Sequence, residues 1–164
     1  MRRSTLVLAV AVLGLALGIS GAAGNRILAQ QPPAPPRPES IPPSYMVEPM
    51  TVADQLAHGK RKSLIVCVGF KALYDSAHIP GALYLGPART PAGIESLEKW
   101  ARGIPRTTTI VIYCGCCPWA VCPNIRPAFD ALRKMQFEHL KVVHIQDNFA
   151  KNWIDPGFPS EKSK

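Results

Sequence analysis

The 164-residue sequence lacks several features that would assign it to a common class of protein. No continuous apolar run reaches the roughly 20 residues that a membrane-spanning helix needs. Aromatic residues make up 7% of the chain, and the only basic run is GKRK at positions 59–62, so a basic face with interleaved aromatics is missing and nucleic-acid binding is not expected. There is also no internal repeat, and the two Cys-x2-Cys pairs of a structural zinc site are missing. What remains is one small domain with appendages.

The first segment has the order of features that is typical of a secretory signal peptide. Arg2 and Arg3 precede fourteen apolar residues, from Leu6 to Ile19, and the small residues SGAAG follow. We therefore expect residues 1–29 to be a signal peptide and the protein to be exported, either to the periplasm or out of the cell. The alternative is an uncleaved N-terminal anchor that would hold the protein at the membrane.

Residues 30–44 are predicted to be a linker, because seven prolines lie between Pro32 and Pro43. Such a segment cannot bury a core and prefers an extended polyproline conformation, so it acts as a stiff spacer. Residues 45–160 are then the folded domain, which is long enough for one modest core.

Within that domain, predicted strands alternate with predicted helices. Thr51 and Asp54 resemble a capping box that opens a short helix ending at His58. The apolar, β-branched runs predict buried strands. Apolar residues at helical spacing predict helices in the segments between these strands. The predicted strands are Ser63 to Val68, Ala82 to Leu85, Thr108 to Cys114 and Lys141 to Ile145, and the later helices begin near Pro91, Pro127 and Asn148. This alternation predicts a small α/β domain with a mainly parallel sheet flanked by helices.

Four of the five cysteines lie within nine positions, directly after one of these strands: Cys114, Cys116, Cys117 and Cys122. Chemistry in α/β sheets gathers where strands end. The start of the following helix favours a thiolate there, because its free N–H groups and positive dipole end face the loop. Three readings of the cluster are open: a structural disulfide, a reactive thiol, and a set of thiolate ligands for a soft metal such as copper or zinc.

Three segments resemble the rhodanese-like domain family. LYDSAHIPGALYL is similar to the family's Gly-His-Ile-Pro-Gly-Ala segment, IVIYC with RPAFDALRKMQF is similar to its cysteine, loop, arginine and helix, and VVHIQDNFAKNWIDPGFP is similar to its last strand and ending. The resemblance implies a sulfurtransferase in which Cys114 accepts sulfur as a persulfide and Arg126 closes the loop. Arg126 stands twelve residues after Cys114, whereas the family's arginine follows after four or five.

The resemblance implies that a small sulfur-containing anion donates the sulfur, that a thiol accepts it, and that no cofactor is required. Cys122 is the alternative nucleophile, because it precedes Arg126 by four residues. The rival hypotheses are a non-catalytic thiolate module that binds copper or zinc, and a disulfide-based redox protein; either would have a metal-trafficking or redox protein as its partner.

Cys67 ends an earlier strand, where the family has an Asp-x-Arg sequence and this chain has Cys67-Val68-Gly69. In the family, the strands that carry these two positions are neighbours. We therefore expect Cys67 and Cys114 to lie on one face of the sheet, within reach of a disulfide or a shared metal ion.

Overall fold

The computed structural model describes residues 40–59 and 62–163. The predicted signal peptide and residues 30–39 of the predicted linker lie outside the described residues, so the domain boundaries stay a prediction. Within the described ranges, no helix has both the length and the apolar character needed to cross a membrane.

The described residues form five strands and four α-helices that alternate along most of the chain. The strands are β1 (Met46–Val47), β2 (Leu64–Cys67), β3 (Leu83–Tyr84), β4 (Ile110–Tyr113) and β5 (Leu140–Val143). The helices are α1 (Pro49–Ala57), α2 (Lys71–Ser76), α3 (Pro91–Arg102) and α4 (Ile125–Lys134). Three short helical segments complete the set: Pro43–Tyr45, Trp119–Val121 and Ala150–Ile154.

All five strands belong to one parallel sheet in the order β1-β5-β4-β2-β3. β4 lies at the centre, and its four residues are all buried, which explains why its sequence IVIY is continuously apolar. The fold class is therefore the predicted one, a small parallel α/β sheet flanked by helices.

The sheet has a separate apolar core on each face. On one face, α3 and α4 pack through Leu97, Phe129 and Leu132 against strand residues that include Ile112. On the other face, α1 and the C-terminal helical segment pack through Val52 and Trp153. Because side chains alternate along a strand, consecutive residues of β4 contribute to different cores.

One local prediction is wrong: Thr51 does not cap α1. The helix begins two residues earlier, at Pro49, with Glu48 in the N-cap position and without a side-chain capping hydrogen bond. Pro49 suits the first helical position because its fixed φ is already helical and its missing N–H would have had no partner. The last helical segment, predicted to begin near Asn148, begins at Ala150.

Gly115 determines how the chain leaves β4. Its φ of 74° lies in the left-handed region. A Cβ on this residue would lie 2.7 Å from the Cβ of Phe149. The Gly115 carbonyl accepts a hydrogen bond of 2.9 Å from the Phe149 N–H, so the loop backbone is held directly against the C-terminal segment. Only glycine satisfies both requirements.

We expect Gly115→Ala to destabilise the domain more than Gly157→Ala. Gly157 has a similar φ of 80°, but nothing lies within 4 Å of a Cβ added there. Both variants incur about 1–2 kcal/mol for the left-handed backbone, and Gly115→Ala adds about 1–3 kcal/mol of steric strain. Urea denaturation of both proteins measures the difference, and equal midpoints would contradict the close packing at Phe149.

Candidate functional site

The cysteine-rich loop begins where β4 ends, at the carboxyl edge of the sheet. Cys114, the first residue after the strand, is 6% exposed, whereas Cys116, Cys117 and Cys122 are half-buried. All are free thiols, as is Cys67. The position of Cys114 follows from the strand itself, because a side chain at this point of β4 must point into the core beneath α3 and α4.

The sulfur atoms of Cys114, Cys116 and Cys122 form one group and lie within 4.8 Å of one another. We call this group the three-sulfur cluster. The Cys114 thiol donates a hydrogen bond to the Cys116 sulfur at 3.1 Å. The Cys117 sulfur is 3.2 Å from that of Cys116 and lies outside the cluster.

Asn124 is the one buried amide side chain that contacts the cluster within the described residues. Its exposure is 0%, and its Nδ2 lies 3.5 Å from the Cys114 sulfur and 3.4 Å from the Cys116 sulfur. Its Oδ1 accepts a 3.0 Å hydrogen bond from the Arg89 N–H, in the segment that leads into α3. The amide nitrogen of Asn124 therefore donates to two sulfurs, while its amide oxygen accepts from the Arg89 N–H.

The start of α4 supplies further donors. The backbone N–H groups of Asn124 and Ile125 are directed at the Cys122 sulfur. These groups have no partner within the helix, and together with the helix dipole they favour a negative charge at Cys122.

These contacts distribute protons unequally over the cluster. The hydrogen bond from Cys114 is the main cause that lowers the pKa of Cys116, to about 5, and Asn124 contributes. A hydrogen bond from Cys114 also lowers the pKa of Cys122, to about 7. The pKa of Cys114 is raised, mainly because it donates to Cys116 and then because it donates to Cys122 and is buried. The proton therefore stays on Cys114, and negative charge is favoured on Cys116 and, more weakly, on Cys122.

Two pockets adjoin the cluster, on either side of Gly115. A small pocket of about 10 Å³ is lined by Cys114, Cys117 and Cys122, with Trp119 and Ile125 among its other walls. A larger open cleft of about 310 Å³ is lined by Cys116 but by none of the other cysteines. The sulfurs thus meet in one cluster and face two different spaces.

The prediction that Cys67 and Cys114 share a face of the sheet is wrong. Cys67 is paired in register with Tyr113, the residue before Cys114, so Cys67 and Cys114 belong to opposite cores. Burial raises the pKa of Cys67 to about 11. Cys67 is not a member of the three-sulfur cluster, and its thiol is an apolar core group on the far face.

Arg126 is the second residue of α4 and is half-buried. In the described part of the chain, no hydrogen bond or ion pair joins its guanidinium to the cysteine sulfurs. The loop between Cys114 and Arg126 includes the Trp119–Val121 turn. His78, by contrast, donates a hydrogen bond from its Nδ1 to the Tyr74 carbonyl at 2.8 Å and stacks on the Tyr74 ring, which is a structural role.

The sequence did not indicate the role of Asn124. An asparagine directly before a helix is most often read as an N-cap, whose side chain binds the first turn. In this chain Asn124 does occupy the N-cap position of α4, but it makes no side-chain capping hydrogen bond. Its position two residues after Cys122 was the only available signal.

No protein-family model matches the chain, and no curated protein sequence matches it significantly. Solved structures do match. The rhodanese-like domain of the Alr3790 protein from Anabaena sp. is 22% identical over 73% of this chain and 80% of that chain, with a TM-score of 0.55. The BH2092 protein from Bacillus halodurans is 17% identical over 73% of this chain and 77% of its own, with a TM-score of 0.56.

A full-length protein from Lactobacillus plantarum is 16% identical over 73% of this chain and 89% of its own, also with a TM-score of 0.56. The shared feature of these matches is the arrangement of strands and helices. The chain therefore has the rhodanese-like fold, which confirms the fold that the sequence resemblance implied.

We expect Asn124→Ala to raise the pKa of Cys116, because the thiolate loses a hydrogen-bond donor. A hydrogen bond to a charged group contributes about 1.5–3 kcal/mol, which corresponds to about one to two pH units. Asn124→Asp is the matched variant: it keeps an acceptor for the Arg89 N–H but places a carboxylate beside the sulfurs, so the pKa should rise further. Thiolate absorbance against pH measures both shifts, and an unchanged midpoint in both variants would contradict the assignment.

Proposed function

We propose that this rhodanese-like chain is an exported sulfurtransferase in which Cys114 takes up a sulfur atom as a persulfide. The observation that carries the proposal is the three-sulfur cluster at the carboxyl end of β4, in which the Cys114 thiol donates to the Cys116 sulfur at 3.1 Å. This edge of a parallel sheet is where reacting groups gather in α/β folds.

The hydrogen bond to Cys116 allows Cys114 to lose its proton during the reaction, although the pKa of Cys114 is raised. The Cys116 thiolate takes the Cys114 proton as the Cys114 sulfur attacks the outer sulfur of a donor such as thiosulfate. The new bond joins the Cys114 Sγ to that sulfur, the S–S bond of thiosulfate breaks, and sulfite leaves. The cysteine thus ends as a persulfide anion, with the proton on Cys116.

The small pocket is suited to hold the transferred sulfur. It adjoins Cys114 and has an apolar wall that includes Trp119 and Ile125, which limits access of water to the persulfide. Arg126, near the start of α4 and without an ion-pair partner among the described residues, provides a positive charge that attracts an anionic donor.

We expect Cys114→Ser to abolish persulfide formation, since serine cannot hold the transferred sulfur. Incubation with thiosulfate followed by intact mass spectrometry should give an adduct of about 32 Da, one sulfur atom, on the wild type and on a Cys67→Ala control but not on Cys114→Ser. Arg126→Ala should slow loading without unfolding the domain. An adduct that persists in Cys114→Ser would move the nucleophile to Cys122.

A second function, binding of Cu(I), is favoured by one observation: three cysteine sulfurs lie within 4.8 Å of one another. Soft thiolates select Cu(I), whereas a structural zinc ion takes four ligands. The fourth nearby sulfur, that of Cys117, lies outside the cluster. The donor set therefore fits Cu(I) better than zinc.

If the site binds copper, anaerobic titration with Cu(I) against a competing chelator should saturate at one ion per chain. Binding should release protons, because the ligands must be thiolates. Cys122→Ser should weaken binding at least tenfold by removing one of three ligands, whereas Cys67→Ala should leave the stoichiometry and affinity unchanged. Equal affinity in the wild type and Cys122→Ser would exclude the three-sulfur site.

A further inference from the structure

Cys116 differs from the other cysteines of the loop in the space that it faces. Cys114, Cys117 and Cys122 line the small pocket, whereas Cys116 lines the larger cleft on the other side of Gly115. The Cys116 sulfur nevertheless remains 3.1 Å from the Cys114 sulfur. It is therefore the one sulfur, among the described residues, that both contacts Cys114 and opens on the larger cleft.

The larger cleft has an apolar character and carries no charged side chain among its lining residues. Its walls come from α2, from Gly115 and from the C-terminal segment that begins at Asn148; the lining residues besides Cys116 are Leu73, Ser76, Ala77, Gly115, Asn148, Phe149, Ala150 and Ile154. Leu73 and Ile154 are 46% and 38% exposed, so large apolar side chains face solvent at this cleft. A volume of about 310 Å³ is at the lower end of the range of small-molecule sites.

Two polar side-chain atoms of the cleft are engaged within the protein. The Ser76 hydroxyl donates to the Leu73 carbonyl at 2.8 Å, and the Asn148 Oδ1 accepts from the Lys151 N–H at 2.9 Å. A charged ligand would find no oppositely charged side chain among the lining residues, whereas an apolar group would pack against Leu73 and Ile154.

We propose that Cys116 receives the sulfur from Cys114 and delivers it, through the larger cleft, to a small thiol with an uncharged, apolar body. This inference rests on the proposed persulfide at Cys114 and identifies how the sulfur leaves that site and which class of acceptor takes it.

The relay needs neither an oxidant nor a reductant. Cys116 attacks the outer sulfur of the Cys114 persulfide, so that the bond from that sulfur to the Cys116 Sγ forms and the bond to the Cys114 Sγ breaks. The proton that Cys116 held passes to Cys114, and the charge moves to the persulfide on Cys116. The acceptor thiol then attacks the same outer sulfur, gives its proton to the Cys116 Sγ and leaves as a persulfide anion.

The test begins with protein whose Cys114 has been loaded to one sulfur per chain, and follows single-turnover transfer to two matched thiols. Phenylmethanethiol carries an apolar ring, and 4-(mercaptomethyl)benzoic acid has the same ring with a carboxylate. We expect transfer to phenylmethanethiol to be at least tenfold faster. Equal rates, or faster transfer to the carboxylate, would overturn the apolar acceptor.

Two variants test the relay and the cleft. Cys116→Ser should load Cys114, more slowly, but transfer to phenylmethanethiol should fall at least tenfold; peptide mapping should find the added sulfur on Cys116 as well as Cys114 in the wild type. Ile154→Asp should slow transfer to phenylmethanethiol, whereas Met50→Asp, at an exposed apolar residue of α1 outside the cleft, should not.

The outcomes separate this inference from the proposed function. If Cys114 never acquires sulfur, the proposed function fails and the relay fails with it. If Cys114 loads normally but loaded Cys116→Ser transfers at the wild-type rate, only the relay is wrong. A mass about 2 Da below that of the unloaded protein, with release of hydrosulfide, would mean that Cys116 attacked the inner sulfur and formed a disulfide, which also overturns the relay.

Discussion

Repulsion between thiolates governs the chemistry of the site. Two unit charges 4 Å apart interact with about 4 kcal/mol at an effective dielectric constant of 20, and the three sulfurs of the cluster lie within 4.8 Å of one another. They cannot all ionise unless a cation joins them. Without a cation, Cys114 keeps its proton and donates it in hydrogen bonds. The negative charge then lies on the sulfurs that also accept hydrogen bonds from groups outside the three-sulfur cluster. The proposed sulfur transfer and the proposed copper binding both depend on this repulsion.

The sheet places the three-sulfur cluster between two pockets. β4 ends in the middle of the sheet, so Cys114 is buried beneath α3 and α4. Gly115 then turns the backbone against Phe149, which directs Cys116 to the cleft beside α2 while its sulfur stays in contact with Cys114. A buried sulfur and an accessible sulfur are thereby held together by three consecutive residues.

The fold could be predicted from local patterns because each central strand is a continuous apolar run and its neighbours obey simple connection rules. The position of Cys114 followed for the same reason. The position of Cys67 was predicted wrongly because the comparison of strand ends ignored the alternation of side chains along a strand. Cys67 pairs with Tyr113, one residue before Cys114, and a shift of one residue places a side chain on the opposite face of the sheet. Asn124 could not be predicted, since a local pattern assigns it as a helix cap, whereas its side-chain oxygen accepts from the Arg89 N–H, which is distant along the chain.

The cysteine-rich loop is attached to the domain by hydrogen bonds at points that do not depend on the loop's length. The Gly115 carbonyl binds the Phe149 N–H, the Trp119 N–H binds the Gln146 carbonyl at 3.0 Å, and Cys122 meets the free N–H groups of α4. Residues could therefore be inserted or deleted between these hydrogen bonds without moving Cys114, because the entropic cost of closing a surface loop grows slowly with its length. A rhodanese-like fold can thus carry additional cysteines in this loop while the sulfur at the strand end keeps its place.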